Sequence, residues 1–130
     1  MAITVTKMAD GPRNAVYHVS IVGDGSGELT DQVIIDPAEF DPAFPALPTL
    51  SVRQLWYDLS GFLVRMEYDY LASDTPVWTM SENGAACMDF TFMGGIADRS
   101  ASDGNGKLKI TTVGLGTGDY GTFIVAATKY

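Results

Sequence analysis

The sequence predicts an all-β protein, an antiparallel sandwich or barrel. Several short segments alternate apolar and polar residues with a period of two, as half-buried strands do. Glycine, asparagine and aspartate separate these segments at intervals of about 8–12 residues, which is typical of sandwiches and barrels. No segment keeps a period of 3.6 residues, so no long helix is expected.

Three strands are predicted in the first third of the chain, at 2–8, 15–22 and 32–36. In the second of them, His18 and Ser20 lie on the face opposite three apolar side chains. This alternation is typical of a half-buried strand.

A short helix is predicted near 36–40, after the third strand. Asp36 could cap it, and Pro37 could take the first helical position, where a missing N–H has no cost.

The segment 37–50 holds four of the six prolines and interrupts the strand pattern. Its prolines and its large apolar residues each recur every third residue, which matches the three residues per turn of polyproline II. It is too rich in proline for a central strand. It could be a crossover that packs on its own sandwich, or an arm that lies on a neighbouring subunit. In the second case the expected contact residues are Phe40, Phe44, Leu47 and Leu50.

The rest of the chain supplies the remaining strands. Six are predicted, at 51–59, 62–70, 76–81, 85–92, 107–113 and 121–130. Ser60-Gly61 is expected to join the first two as a hairpin, and Asn83-Gly84 is expected to join the next two.

Charge and composition exclude several partners. Sixteen acidic residues against eight basic ones give a net charge of −8, and the basic residues form no stripe. Binding to nucleic acid or to an anionic membrane surface is therefore not expected. No apolar run approaches the ~18 residues of a membrane span, and the N-terminus lacks the features of a secretory signal. A length of 130 residues fits a single domain, 1–130.

The acidic, glycine-rich segment 23–37 is the first candidate for chemistry. Read as a calcium loop from Asp24, it places Leu29 where a glycine is needed and Ile35 where a glutamate is needed. No helix is predicted directly after its glycines, so it does not form a phosphate cradle. The segment is expected to be a turn, with no metal and no cofactor.

Other reactive residues are isolated in the sequence. Cys87 is the single cysteine and is expected to be a partly buried structural thiol; His18 is expected to be structural or on the surface. Glu67 and Asp69 lie on one strand face at roughly the 6.5–7 Å of two strand steps. Arg65 shares that face, so we expect a solvated charged face and no catalytic residue.

Four long segments together resemble a family of small virion proteins of tailed bacteriophages. The segments are 23–40, 50–69, 76–98 and 106–129. The resemblance covers most of the chain as a pattern of strands and turns and contains no catalytic motif. Within the family, the role that the resemblance implies is that of capsid cement, or decoration, proteins, some of which are small jelly rolls that dimerise or trimerise on an icosahedral shell.

The resemblance implies a jelly-roll sandwich that bridges subunits of the major capsid protein non-covalently. It also implies a homo-oligomer on the outer capsid surface of the virion, made in the host cytoplasm. Two alternatives stay open. One is a tail or neck protein of the virion, and the other is a carbohydrate-binding module that would use Trp56, Tyr57 or Trp78.

Overall fold

A computed structural model describes residues 3–39, 50–69, 74–82, 84–97 and 106–129. These residues form ten strands and two single-turn 3₁₀ helices, so the fold is all-β. The strands are β1 (Ile3–Asp10), β2 (Asn14–Val22), β3 (Gln32–Ile35), β4 (Leu50–Ser60), β5 (Leu63–Tyr68), β6 (Thr75–Met80), β7 (Gly84–Asp89), β8 (Ile96–Ala97), β9 (Leu108–Val113) and β10 (Tyr120–Lys129). Within the described ranges, no helix is long enough to cross a membrane.

The strands form two antiparallel sheets that pack face to face. Sheet A has the order β1-β2-β10-β4-β7, with β8 added beside β4, and sheet B has the order β3-β9-β5-β6. If β1 and β8 are set aside, the first strand pairs with the last, the second with the second-last, and so on inward: β2 with β10, β3 with β9, β4 with β7 and β5 with β6. This nested pairing defines a jelly roll and confirms the predicted fold class.

All nine predicted strands are present, but both predicted hairpins are wrong. β4 and β5 flank Ser60-Gly61, yet they lie in different sheets, and the same holds for β6 and β7. Gly61 has a φ of +96° and turns the chain from one sheet to the other. A side chain there would also collide with the carboxylate of Asp119. The second predicted turn was Asn83-Gly84, of which Asn83 lies outside the described residues.

The region after β7 also differs from the prediction. The expected strand 85–92 ends at Asp89, and Thr91–Met93 forms a 3₁₀ turn. The Asp89 carboxylate accepts the Thr91 backbone N–H at 2.9 Å, which stabilises the turn. Cys87 is exposed rather than partly buried, because the opposite face of β7 is the one directed toward the core. The short strand β8 lies where a loop was expected.

The core lies between the sheets and contains the predicted inward face of 62–70 as far as Tyr68, since Tyr70 lies outside the described residues. Phe62, Val64, Met66 and Tyr68 are each at most 1% exposed. The Tyr68 hydroxyl links the two sheets: it accepts the N–H of Val52 at 3.2 Å, and the carbonyl oxygen of Ile96 lies 2.6 Å away.

The proline-rich segment begins as predicted. Pro37–Glu39 forms a 3₁₀ turn, and the Asp36 carboxylate accepts the Ala38 backbone N–H at 3.0 Å. Three of the four expected contact residues, Phe40, Phe44 and Leu47, lie outside the described residues. The fourth, Leu50, has no exposed surface and belongs to the core of its own chain, so we place it there rather than at an interface.

Candidate functional site

The outer face of sheet A carries a cross-strand row of large uncharged side chains. Register aligns Thr6, His18, Ile124, Trp56 and Cys87 across five adjacent strands. His18, Ile124, Trp56 and Cys87 alternate with inward-facing neighbours and point away from the core, whereas β1 is exposed on both faces around Thr6. Trp56 is 37% exposed, although a tryptophan usually buries most of its ring.

The rows on either side are also poor in charge. They consist of Ser20, Thr122, Asp58 and Ala85 on one side, and of Val16, Ala126, Gln54 and Asp89 on the other. The three rows together contain two carboxylates and neither lysine nor arginine. One carboxylate, Asp89, is at the rim on β7 and is already engaged by Thr91, whose hydrogen bonds lower its pKa. The central row therefore has no formal charge in a protein of net charge −8, and we call the three rows together, with their two carboxylates Asp58 and Asp89, the neutral face of sheet A.

A shallow groove of about 470 Å³ crosses this face. The residues that line it are His18, Trp56, Tyr57, Asp58, Ala85, Ala86, Thr122, Phe123 and Ile124. The Thr122 hydroxyl lies 2.8 Å from His18 Nε2, so a hydrogen bond across the two strands positions the imidazole. His18 lies on the surface, which is one of the two placements predicted for it from the sequence.

The two tryptophans have different environments. Trp56 faces solvent from the sheet A face, whereas Trp78 is partly buried and packs 5.3 Å from the ring of Phe90 at an interplanar angle of 53°. Tyr57 is buried in the core. Of the three aromatics that the sequence offers for stacking on a sugar, only Trp56 presents its ring to solvent.

Sheet B has a charged outer surface instead. The ammonium of Lys109 contacts Asp74 at 2.7 Å and both Asp31 and Asp69 at 3.2 Å. Burial alone would lower the pKa of Lys109, but hydrogen bonds to these three carboxylates outweigh that effect and raise it. The ammonium therefore stays charged and occupies the centre of the carboxylate cluster. Asp69 is committed to this ion pair and does not form a carboxylate pair with Glu67.

The carboxylates of the acidic glycine-rich segment stabilise one end of the sandwich, which we call the glycine-loop end (residues 23–28 and 114–119). Glu28 accepts the backbone N–H groups of Gly114 at 2.9 Å and Leu115 at 2.5 Å. Asp24 accepts the N–H of Ser26 at 2.9 Å, and the Ser26 hydrogen bonds lower its pKa. The segment thus forms a turn. Asp24 stabilises it from within, and Glu28 joins it to the neighbouring loop by hydrogen bonds.

The opposite end of the sandwich, which we call the arm end, contains both boundaries of the segment 40–49. Lys129 is fully buried there, pairs with Asp10 and donates to the Gly11 carbonyl at 2.6 Å. Nearby, Phe92 is 87% exposed and Met93 58% exposed on the 3₁₀ turn beside β4. Within the described part of the chain, these are two of the most exposed large apolar side chains.

The described residues contain no group of three or more histidine, cysteine, aspartate or glutamate side chains arranged to hold a metal ion. His18 and Cys87 lie in the same row, separated by the two strands β10 and β4.

Comparison with known proteins gives a weak structural likeness and no match in sequence. No protein-family model matches the chain, and no curated protein matches it in sequence. A cupin superfamily protein from Desulfitobacterium hafniense is similar in structure, with a TM-score of 0.34 and 9% sequence identity over 98% of this chain and 76% of the other.

Neither the neutral face nor the exposed pair Phe92 and Met93 was predicted from the sequence. A signal for the face was present: the outward positions of 120–129 are mostly threonine and alanine rather than lysine or glutamate. The exposed pair had no such signal, because 85–92 continues the strand pattern up to Phe92.

Proposed function

We propose that the protein is a structural component of a tailed-phage virion that decorates the capsid and bridges major capsid protein subunits non-covalently. The resemblance over most of the chain supports this role, and a jelly roll is a fold that such proteins use. The proposal gives the protein no catalytic role and no cofactor, and places it on the outer capsid surface after synthesis in the host cytoplasm.

The observation that carries the proposal is the exposed apolar pair at the arm end. Phe92 projects from a turn fixed by Asp89 and followed by Gly94, whose φ of +82° ends the turn. A rigid aromatic side chain in solvent is the usual anchor of a protein interface, because burying it costs little conformational entropy. Glu39 and Leu50, the residues on either side of the segment 40–49, lie at the same end. We propose that this end contacts the capsid.

Binding to empty shells tests the proposal. Shells assembled from the major capsid protein of the same phage would be mixed with the protein and sedimented. We expect Phe92→Ala combined with Met93→Ala to weaken attachment at least ~10-fold, the loss typical of a hot-spot residue. The matched control is Val113→Ala combined with Val22→Ala, since both valines are exposed apolar residues near the glycine-loop end.

Circular dichroism and thermal melting should show that both double variants are folded. Normal decoration by the Phe92/Met93 variant would contradict the proposed contact. Wild-type protein that fails to bind the shells would contradict the decoration role itself. Electron microscopy of labelled virions separates this role from the tail or neck alternative.

Carbohydrate binding is the second candidate, and the exposed indole of Trp56 beside Asp58 favours it. An aromatic plane next to a hydrogen-bonding carboxylate is a common way to hold a sugar ring. A glycan array tests it, with Trp56→Ala as the variant that should lose any signal. An array on which the wild type binds nothing would rule the candidate out.

A further inference from the structure

We propose that the neutral outer face of sheet A binds the same face of a second copy, which makes the protein a face-to-face homodimer. The inference does not depend on the virion role, and it uses a surface other than the arm end.

The contrast between the two outer faces is the first argument. Sheet B exposes Arg65 and carries the Lys109 cluster, whereas the central row of sheet A has Trp56 and Ile124 and contains no carboxylate. Interface cores are depleted in charge and enriched in tryptophan and tyrosine relative to the remaining surface. Two molecules of net charge −8 repel each other, so they associate best through the surface with the fewest carboxylates.

The size of the face is the second argument. Five strands spaced ~4.8 Å apart, over about nine residues of ~3.3 Å rise each, cover roughly 700 Å². A stable interface buries about 800 Å² on each partner. The sheet A face alone therefore approaches the area that a dimer needs.

Strand order is the third argument. β10 is the middle strand of the five, so a two-fold axis along it would place β2 of one copy over β4 of the other. Ile124 then lies at the axis, Trp56 of each copy faces His18 of the other, and Asp58 faces Ser20 rather than a second carboxylate. In such a two-fold interface each copy buries this face against its partner, so no equivalent face remains for a third copy. The assembly therefore closes as a dimer and not a trimer.

The edges of sheet A are less suited to self-association. The free edge strand β1 has a bulge between Lys7 and Ala9, and the lysine lies beside it. Bulges and edge lysines are common devices that prevent strand-to-strand pairing.

Light scattering after size-exclusion chromatography tests the proposal. At about 100 µM the wild type should have twice the chain mass of 13.9 kDa. Ile124→Lys places a charge at the axis and should raise the dissociation constant at least ~100-fold, so that the monomer predominates. Thr122→Lys, at an exposed position of the same strand, should act similarly without a risk to the core. Val113→Lys, on sheet B, is the matched control and should remain dimeric.

Circular dichroism confirms that each variant is folded. A wild type of single-chain mass at this concentration would overturn the inference and leave the face to a different partner. Folded Ile124→Lys and Thr122→Lys proteins that stay dimeric would overturn it as well, as would a monomeric Val113→Lys.

Discussion

Removing the hydroxyl of Tyr68 should measure how much one buried bridge between the sheets contributes to stability. The ring is fully buried, and its oxygen accepts the Val52 N–H and lies 2.6 Å from the Ile96 carbonyl oxygen. Tyr68→Phe keeps the ring and leaves both backbone groups short of a partner. An unsatisfied buried group costs about 1–3 kcal/mol. We therefore expect a loss of about 2–3 kcal/mol, or a fall in Tm of about 8–12 °C for a domain of this length.

Urea unfolding followed by circular dichroism is the assay. The midpoint should fall by about 1–2 M with an unchanged slope, because the surface exposed on unfolding stays the same. Tyr120→Phe is the control, since its side chain is 65% exposed and its hydroxyl can bond to water in either state. A loss below about 0.5 kcal/mol for Tyr68→Phe, or one equal to that of the control, would refute the reasoning.

Two further predictions concern a glycine and a titrating tyrosine. Gly23→Ala should lower the free energy of unfolding in urea by more than about 3 kcal/mol, because its Cβ would overlap the Gly116 carbonyl. Gly11→Ala is the control, since a Cβ has room there and should cost under about 1 kcal/mol. Equal costs for the two variants would contradict the packing. Burial, followed by the carboxylates of Asp10, Glu39 and Asp36, raises the pKa of Tyr17 from 10.0 to about 12. The native state thus favours the neutral phenol, so about 1–2 kcal/mol of stability is present below pH 10 and should be lost between about pH 10 and 12. Tyr17→Phe should show a smaller loss over that range, and an unchanged pH profile would contradict the assignment.

Strand positions could be predicted from the sequence because alternation is a local property. The inward face of 62–70 was correct residue by residue up to Tyr68, and the 3₁₀ turn at Pro37 followed from its capping residues. Strand partners are not local. Ser60-Gly61 is short enough for a hairpin, yet the same two residues also fit a turn between stacked sheets, and only the core packing of both sheets decides between the two.

The candidate surfaces were harder to predict than the strands. Leu50 shares its spacing with Phe44 and Leu47, so the pattern joins it to the arm, but its pairing with Lys129 places it in sheet A and in the core. The neutral sheet A face becomes visible only when β2, β10 and β4 are aligned. In that alignment, His18 and Thr122 are neighbours although 104 residues separate them in the chain.

The nested strand order has a consequence for synthesis on the ribosome. Of the ten described strands β10 is made last, yet it is the middle strand of sheet A and pairs with both β2 and β4. Until it leaves the exit tunnel, those two long strands have unpaired edges directed toward each other. Folding therefore depends on contacts distant in sequence and should be slow, as expected for a fold of high contact order. Before β10 emerges, the nascent chain is most exposed to aggregation. Rapid synthesis of β10 therefore protects the yield of folded protein.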